Sequence, residues 1–94
     1  MNVNKTFEKV LNKLVVPQFD KIVKIEVQSF VEFNVKTDIF LDTPLRNTYH
    51  LNFYITSPIS SDERTEIIEA SYSVFRMIGI EDSKFRFNFE LHKK

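Results

Sequence analysis

From Val23 to Leu41 the chain alternates. Val23, Ile25, Val27, Val31, Phe33, Val35, Ile39 and Leu41 are apolar and odd-numbered, and Lys24, Glu26, Gln28, Glu32, Asn34, Lys36 and Asp38 stand between them. A period of two places successive side chains on opposite sides of a strand, and a helix cannot keep such a series on one side. Begun at Ile22, the run far exceeds the usual length of about five or six residues. It contains no Gly or Pro, so it reads as one long bent strand, with a bulge expected near Gln28-Ser29.

The same parity returns twice. Tyr49, Leu51, Phe53 and Ile55 form a second strand after the turn-forming Asp42-Thr43-Pro44, and Phe85, Phe87, Phe89 and Leu91 form a third. If the odd residues of the first two strands share one core, opposed residue numbers must sum to an even number. A short odd-length loop satisfies this, and the expected register sets Leu41 opposite Leu45 and Phe33 opposite Phe53.

Two helices complete the pattern. Val3, Phe7, Val10, Leu11, Leu14 and Val15 make one apolar stripe, ended by Pro17, with Lys5, Lys9 and Lys13 on the opposite side. The second helix begins at a capping box, Ser60 with Glu63, and Asp62 adds negative charge at the positive end of the helix dipole. Its buried stripe is Ile67, Ile68, Ser71, Val74, Phe75 and Ile78. Gly79 stands where a left-handed terminating residue belongs, followed by Ile80.

The expected fold is therefore a single α+β domain spanning residues 1–94. It is a two-layer α/β sandwich in the order α-β-β-α-β: a three-stranded, mainly antiparallel sheet with a long hairpin, and both helices on one face. A right-handed crossover makes the second and third strands parallel, with the first strand expected between them. At fold level this order resembles a ferredoxin-like domain lacking its first strand, and also the type II KH arrangement. The KH module carries a Gly-x-x-Gly loop, whereas this chain has one Gly, so the resemblance implies architecture and no function.

Composition narrows the function classes. Thirteen basic residues balance thirteen acidic ones, unlike the basic excess of a dedicated nucleic-acid binder. There is no Cys, which removes disulfides and thiolate chemistry and favours a cytoplasmic setting. No apolar run approaches the roughly 20 residues of a membrane span, so no membrane partner is expected. No phosphate-binding glycine loop is present, and His50 and His92 lack metal-ligand spacing. Asp38, Asp42, Arg46 and His50 gather near the hairpin tip, where polar residues serve first to keep a turn soluble. No catalytic, cofactor-binding or metal-binding residue is assigned.

Surface chemistry offers more. With odd residues inward, the even face of the sheet is bare and displays Phe30, Tyr54, Lys24, Glu32, Arg86 and Asn88 as a candidate interaction surface. In the expected register Phe30 and Tyr54 are diagonal neighbours. A small aromatic centre within mixed charges suits a protein contact. The expectation is a non-enzymatic module that self-associates or serves as a subunit of a larger assembly, through the open sheet face or the long hairpin. The alternative is nucleic-acid binding through the Lys5/Lys9/Lys13 stripe or the sheet aromatics. It is disfavoured because balanced charge yields little counterion release.

Overall fold

The structure, a computed structural model, describes residues 3–32, 46–80 and 82–93, and among these the side chains of 5–29, 48–80 and 82–93. Helix α1 (Val3–Leu14) is followed by a short 3-10 turn at Val16–Gln18 containing Pro17. Then come β1 (Ile22–Glu32), β2 (Arg46–Ile55), α2 (Ser61–Ile78) and β3 (Lys84–Leu91). The α-β-β-α-β order and the α+β class agree with the periodicity. The proposed hairpin tip, with Leu41, Leu45 and Asp42-Thr43-Pro44, lies outside the described residues.

Strand order departs from expectation. The sheet runs β1-β2-β3, with β1 antiparallel to β2 and β2 parallel to β3, so β2 and not β1 is central. The sheet is thus mixed, with one pair of each kind. Side chains explain the choice. Past Arg46 at its start, β2 carries Thr48, His50, Asn52 and Tyr54 on the face away from the helices, none a formal charge. By contrast β1 carries Lys24 and Glu26, and β3 carries Lys84, Arg86 and Glu90, and charged residues suit exposed edges. β2-α2-β3 is a simple βαβ unit with its two strands in direct contact, not the split unit of a ferredoxin-like domain.

Register differs too. Phe53 pairs with Ile25 and Leu51 with Val27, so Phe53 is not opposite Phe33. The even-sum rule holds from Lys24 to Glu32, but it admits many registers that differ by two residues. The one adopted sets Ile25, Val27, Leu51 and Phe53 under Phe7 and Leu11 in a common core. The irregularity in β1 falls between Ile22 and Lys24, not at Gln28-Ser29. There Val23 is the extra residue. It is 39% exposed, whereas Ile22 is buried, the reverse of the expected parity.

The core is aromatic. Phe75 of α2 stacks on Phe85 at 3.9 Å between centroids, and Phe7 of α1 meets Phe75 and Tyr49 edge-on at 5.1 and 5.6 Å. Phe53 stacks on Phe89 at 4.8 Å. Each such pair contributes about 0.5–1.5 kcal/mol beyond the area it buries. Not every member of the helix stripes is covered. Leu14 and Ile78, each in the last turn of its helix, are exposed, whereas Phe7, Leu11, Val15, Ile67, Ser71, Val74 and Phe75 are buried.

Both ends of α2 match the sequence reading. Ser60 Oγ accepts from the Glu63 amide at 3.1 Å, and Glu63 Oε1 accepts from the Ser60 amide at 3.1 Å. Lys21 Nζ reaches the same Glu63 oxygen at 3.1 Å and the Pro58 carbonyl at 3.3 Å, tying the helix start to the turn before β1. At the far end Gly79 is left-handed, with φ 77°, and the Ile80 amide donates to the Phe75 carbonyl at 3.0 Å.

Candidate functional site

The face of the sheet turned away from the helices is polar and largely satisfied within itself. Tyr54 and Lys24 are cross-strand partners, and the Lys24 ammonium lies 4.9 Å from the Tyr54 ring centroid. The Tyr54 hydroxyl donates to Glu26 Oε2 at 3.1 Å, and Lys24 also meets Glu26 Oε1 at 3.2 Å. That bond to Glu26 is the main reason the Tyr54 phenol is held above its usual pKa. Desolvation and the negative charges of Glu26 and Glu90 add to it. Asn88 Nδ2 donates to Asn52 Oδ1 at 3.0 Å, and Arg86 stands beside His50 in the β2–β3 register.

The expected aromatic centre is not formed. The Phe30 backbone pairs with Thr48 and the Glu32 backbone with Arg46, and the side chains of Phe30 and Glu32 lie outside those described. Thr48 is six residues from Tyr54 along β2, a separation of roughly 20 Å at about 3.3 Å per residue. The diagonal contact of Phe30 with Tyr54 rested on the other register and is corrected with it. Nor is the even-numbered face bare throughout. Thr48 is fully buried, and its Oγ1 has no hydrogen-bond partner among the described residues.

A three-stranded sheet has two edges, and this one treats them differently. Along β1 the outward backbone groups belong to odd residues, because the Glu26–Asn52 type of pair exchanges the ladder bonds with β2. Asn12 of α1 meets this edge at Ile25 as a strand residue would. Its Oδ1 accepts from the Ile25 amide at 3.0 Å, and its Nδ2 donates to the Ile25 carbonyl at 2.8 Å. Glu8, one helical turn earlier, accepts from the Val27 amide through Oε2 at 3.0 Å. Neither residue was singled out in the sequence, since both sit on the flank between the apolar and lysine stripes.

Among the described residues nothing closes the β3 edge. The His92 amide donates to the Ile55 carbonyl at 2.8 Å, so the even residues of β3 bond to β2. The amides and carbonyls of Phe85, Phe87, Phe89 and Leu91 therefore point away from the sheet. No described residue is hydrogen-bonded to them. Their side chains, expected to be inward, are only half-covered: the three Phe are half-buried and Leu91 is 50% exposed. Two residues of α2 lean over the row. Tyr72 lies edge-on to Phe85 and Phe87 at 5.8 and 5.6 Å, and the Arg64 guanidinium is 5.2 Å from the Phe89 centroid.

The other candidates are dispersed. Lys5 and Lys9 border an open groove between α1 and β1 together with Lys24, but Glu8 and Glu26 line the same groove. Asp38 and Asp42 lie outside the described residues. His50 is half-buried on β2, and exposed His92 packs edge-on against Tyr54. Among the described residues no group of three His, Asp or Glu converges to hold a metal, and no helix is long and apolar enough to cross a membrane. Comparison with protein-family models, with curated proteins and with solved structures finds no match.

Proposed function

We propose that this chain is a non-enzymatic interaction module that takes up another polypeptide strand along the free edge of β3. The contrast between the two edges carries the reading. Two polar side chains of α1 engage the β1 edge at Ile25 and Val27, while β3 presents eight residues of strand with a half-exposed aromatic row and odd-numbered amides that no described residue meets. An uncovered edge of that length and apolarity is a template for strand addition. Backbone bonds supply affinity in such a contact, and the alternate side chains supply selectivity. The candidate residues Arg86 and Asn88 lie on this strand, whereas Lys24 and Tyr54 lie on the outer side of β1 and β2.

The test is a displayed library of random ten-residue peptides, selected on the immobilised chain and followed by amide exchange with each bound peptide. Strand addition requires slowed exchange at Phe85, Phe87, Phe89 and Leu91, with little change at the even residues between them. Peptides that protect the Tyr54 face instead, or a selection that retains none while the β3 amides stay unprotected at every concentration of the chain itself, would sink the reading.

A further inference from the structure

We infer that the strand taken up by β3 is the β3 of a second copy, run antiparallel about a two-fold axis through Asn88; this rests on the reading of the β3 edge given above. On the outer face β3 reads Lys84, Arg86, Asn88, Glu90, basic at its start and acidic at its end. A parallel partner of the same sequence would set Arg86 beside Arg86 and Glu90 beside Glu90, which is unfavourable. An antiparallel copy reverses the order and sets opposite charges face to face.

Registers are limited by the backbone. Only odd residues offer outward amides and carbonyls, so odd must oppose odd and the paired numbers must sum to an even value. An axis at Arg86 or at Glu90 places like charges in direct opposition. An axis at Phe89 leaves Arg86 without a carboxylate opposite. Two registers remain. An axis at Phe87 pairs Lys84 with Glu90 but leaves Leu91 against Ser83. An axis at Asn88 pairs Arg86 with Glu90 twice, Phe85 with Leu91 twice and Phe87 with Phe89 twice. Every half-covered apolar side chain then gains an apolar neighbour.

Asn88 fits the axis. One hydrogen of its Nδ2 already goes to Asn52 Oδ1, which leaves the second hydrogen and its own Oδ1 to exchange with the amide of the other copy. The four odd residues of each strand would exchange about eight backbone hydrogen bonds in all. The product is a closed dimer with a continuous six-stranded sheet, in which β1 forms both outer edges. Those are the edges that Asn12 and Glu8 already engage at Ile25 and Val27. A two-fold axis uses the same β3 edge on both copies, so the assembly closes at two.

The natural chain has no Cys, so single cysteines report on register without interference. Residues facing across an unbonded antiparallel pair have Cα atoms about 4.5 Å apart, within disulfide range. The full chain should sediment as a dimer at high micromolar concentration, and Asn88→Cys should form a disulfide dimer on mild oxidation. Arg86→Cys and Val23→Cys should not. Arg86→Glu should raise the dimer dissociation constant tenfold or more by facing Glu90, and the double variant R86E/E90R should restore it.

A monomeric wild type at that concentration overturns the second copy as occupant. Library peptides that still protect the β3 amides would leave strand addition standing. A dimer that cross-links through Val23→Cys, or only in a mixture of Arg86→Cys with Asn88→Cys, overturns the proposed pairing.

Discussion

Replacing Asn12 by Ala should destabilise the fold out of proportion to its half-buried position on α1. The side chain makes three bonds: to the Ile25 amide at 3.0 Å, to the Ile25 carbonyl at 2.8 Å and to the Glu8 carbonyl at 2.7 Å. Truncation orphans both backbone groups of Ile25, whose own side chain is 1% exposed. An orphaned buried group costs about 1–3 kcal/mol, and the lower end applies because the site is partly reached by water. Two groups give about 2–3 kcal/mol. Alanine's better helix propensity returns about 0.6 kcal/mol, so the net loss should be about 2 kcal/mol.

Urea unfolding at low micromolar concentration measures this loss without any contribution from association. With a slope of about 1–1.3 kcal/mol/M for a small chain, the midpoint should fall by roughly 1.5–2 M with the slope unchanged. Asn12→Asp is a sharper control. It keeps the acceptor for the Ile25 amide but turns a carboxylate oxygen toward two carbonyls, so it should lose stability as well. Losses below about 0.5 kcal/mol in both variants would refute the closure of the β1 edge by Asn12, because that is the range of an uninvolved surface change.

Gly79→Ala should cost about 1 kcal/mol in the same assay. The φ of 77° is unfavourable for a side chain, and nothing within 4 Å would otherwise obstruct the new methyl group. Ser60→Ala removes the cap and should also cost about 1 kcal/mol. Glu63 is held below its usual pKa by the Ser60 amide first and by Lys21 after it. Its contribution to stability is therefore present above about pH 4.5, the unfolded value, and lost as pH falls through the lower folded one. Lys21→Met should narrow that window in an acid titration. Tyr54 behaves oppositely: with its pKa raised, its contribution is present below pH 10 and lost as pH climbs through the folded value. Ultraviolet titration should show its phenolate forming above pH 10, and earlier in Glu26→Gln.

How far the sequence was legible depended on whether a signal was local. The Ser60/Glu63 box and Gly79 each act within a few residues, and both appear where they were read. Alternation in β2 and β3 was legible because the inner face of a strand is recorded every second residue. Register was not, because parity is blind to a shift of two. The position of β2 at the centre has a faint signal, the uncharged even residues from Thr48 to Tyr54 that follow Arg46. Val23 broke parity because one extra residue in β1 turns its side chain toward water, and nothing in the local composition marks that position. The candidate surface suffered most: Phe30 and Tyr54 were joined by a register the chain does not adopt, while Asn12 and Glu8 act across 13 and 19 residues of sequence to reach β1.

The most direct measurement is residue-resolved amide exchange on a dilute sample. Ile25 and Val27, although on an edge strand, should exchange slowly because Asn12 and Glu8 hold their amides. Arg86, Asn88 and Glu90 should also be slow through their bonds to β2, and Phe85, Phe87, Phe89 and Leu91 should be fast. Raising the concentration should slow those four and leave Ile25 and Val27 unchanged. Fast exchange at Ile25, or slow exchange at the four odd β3 residues in the dilute sample, would contradict the contrast between the edge that α1 engages at Ile25 and Val27 and the free edge of β3.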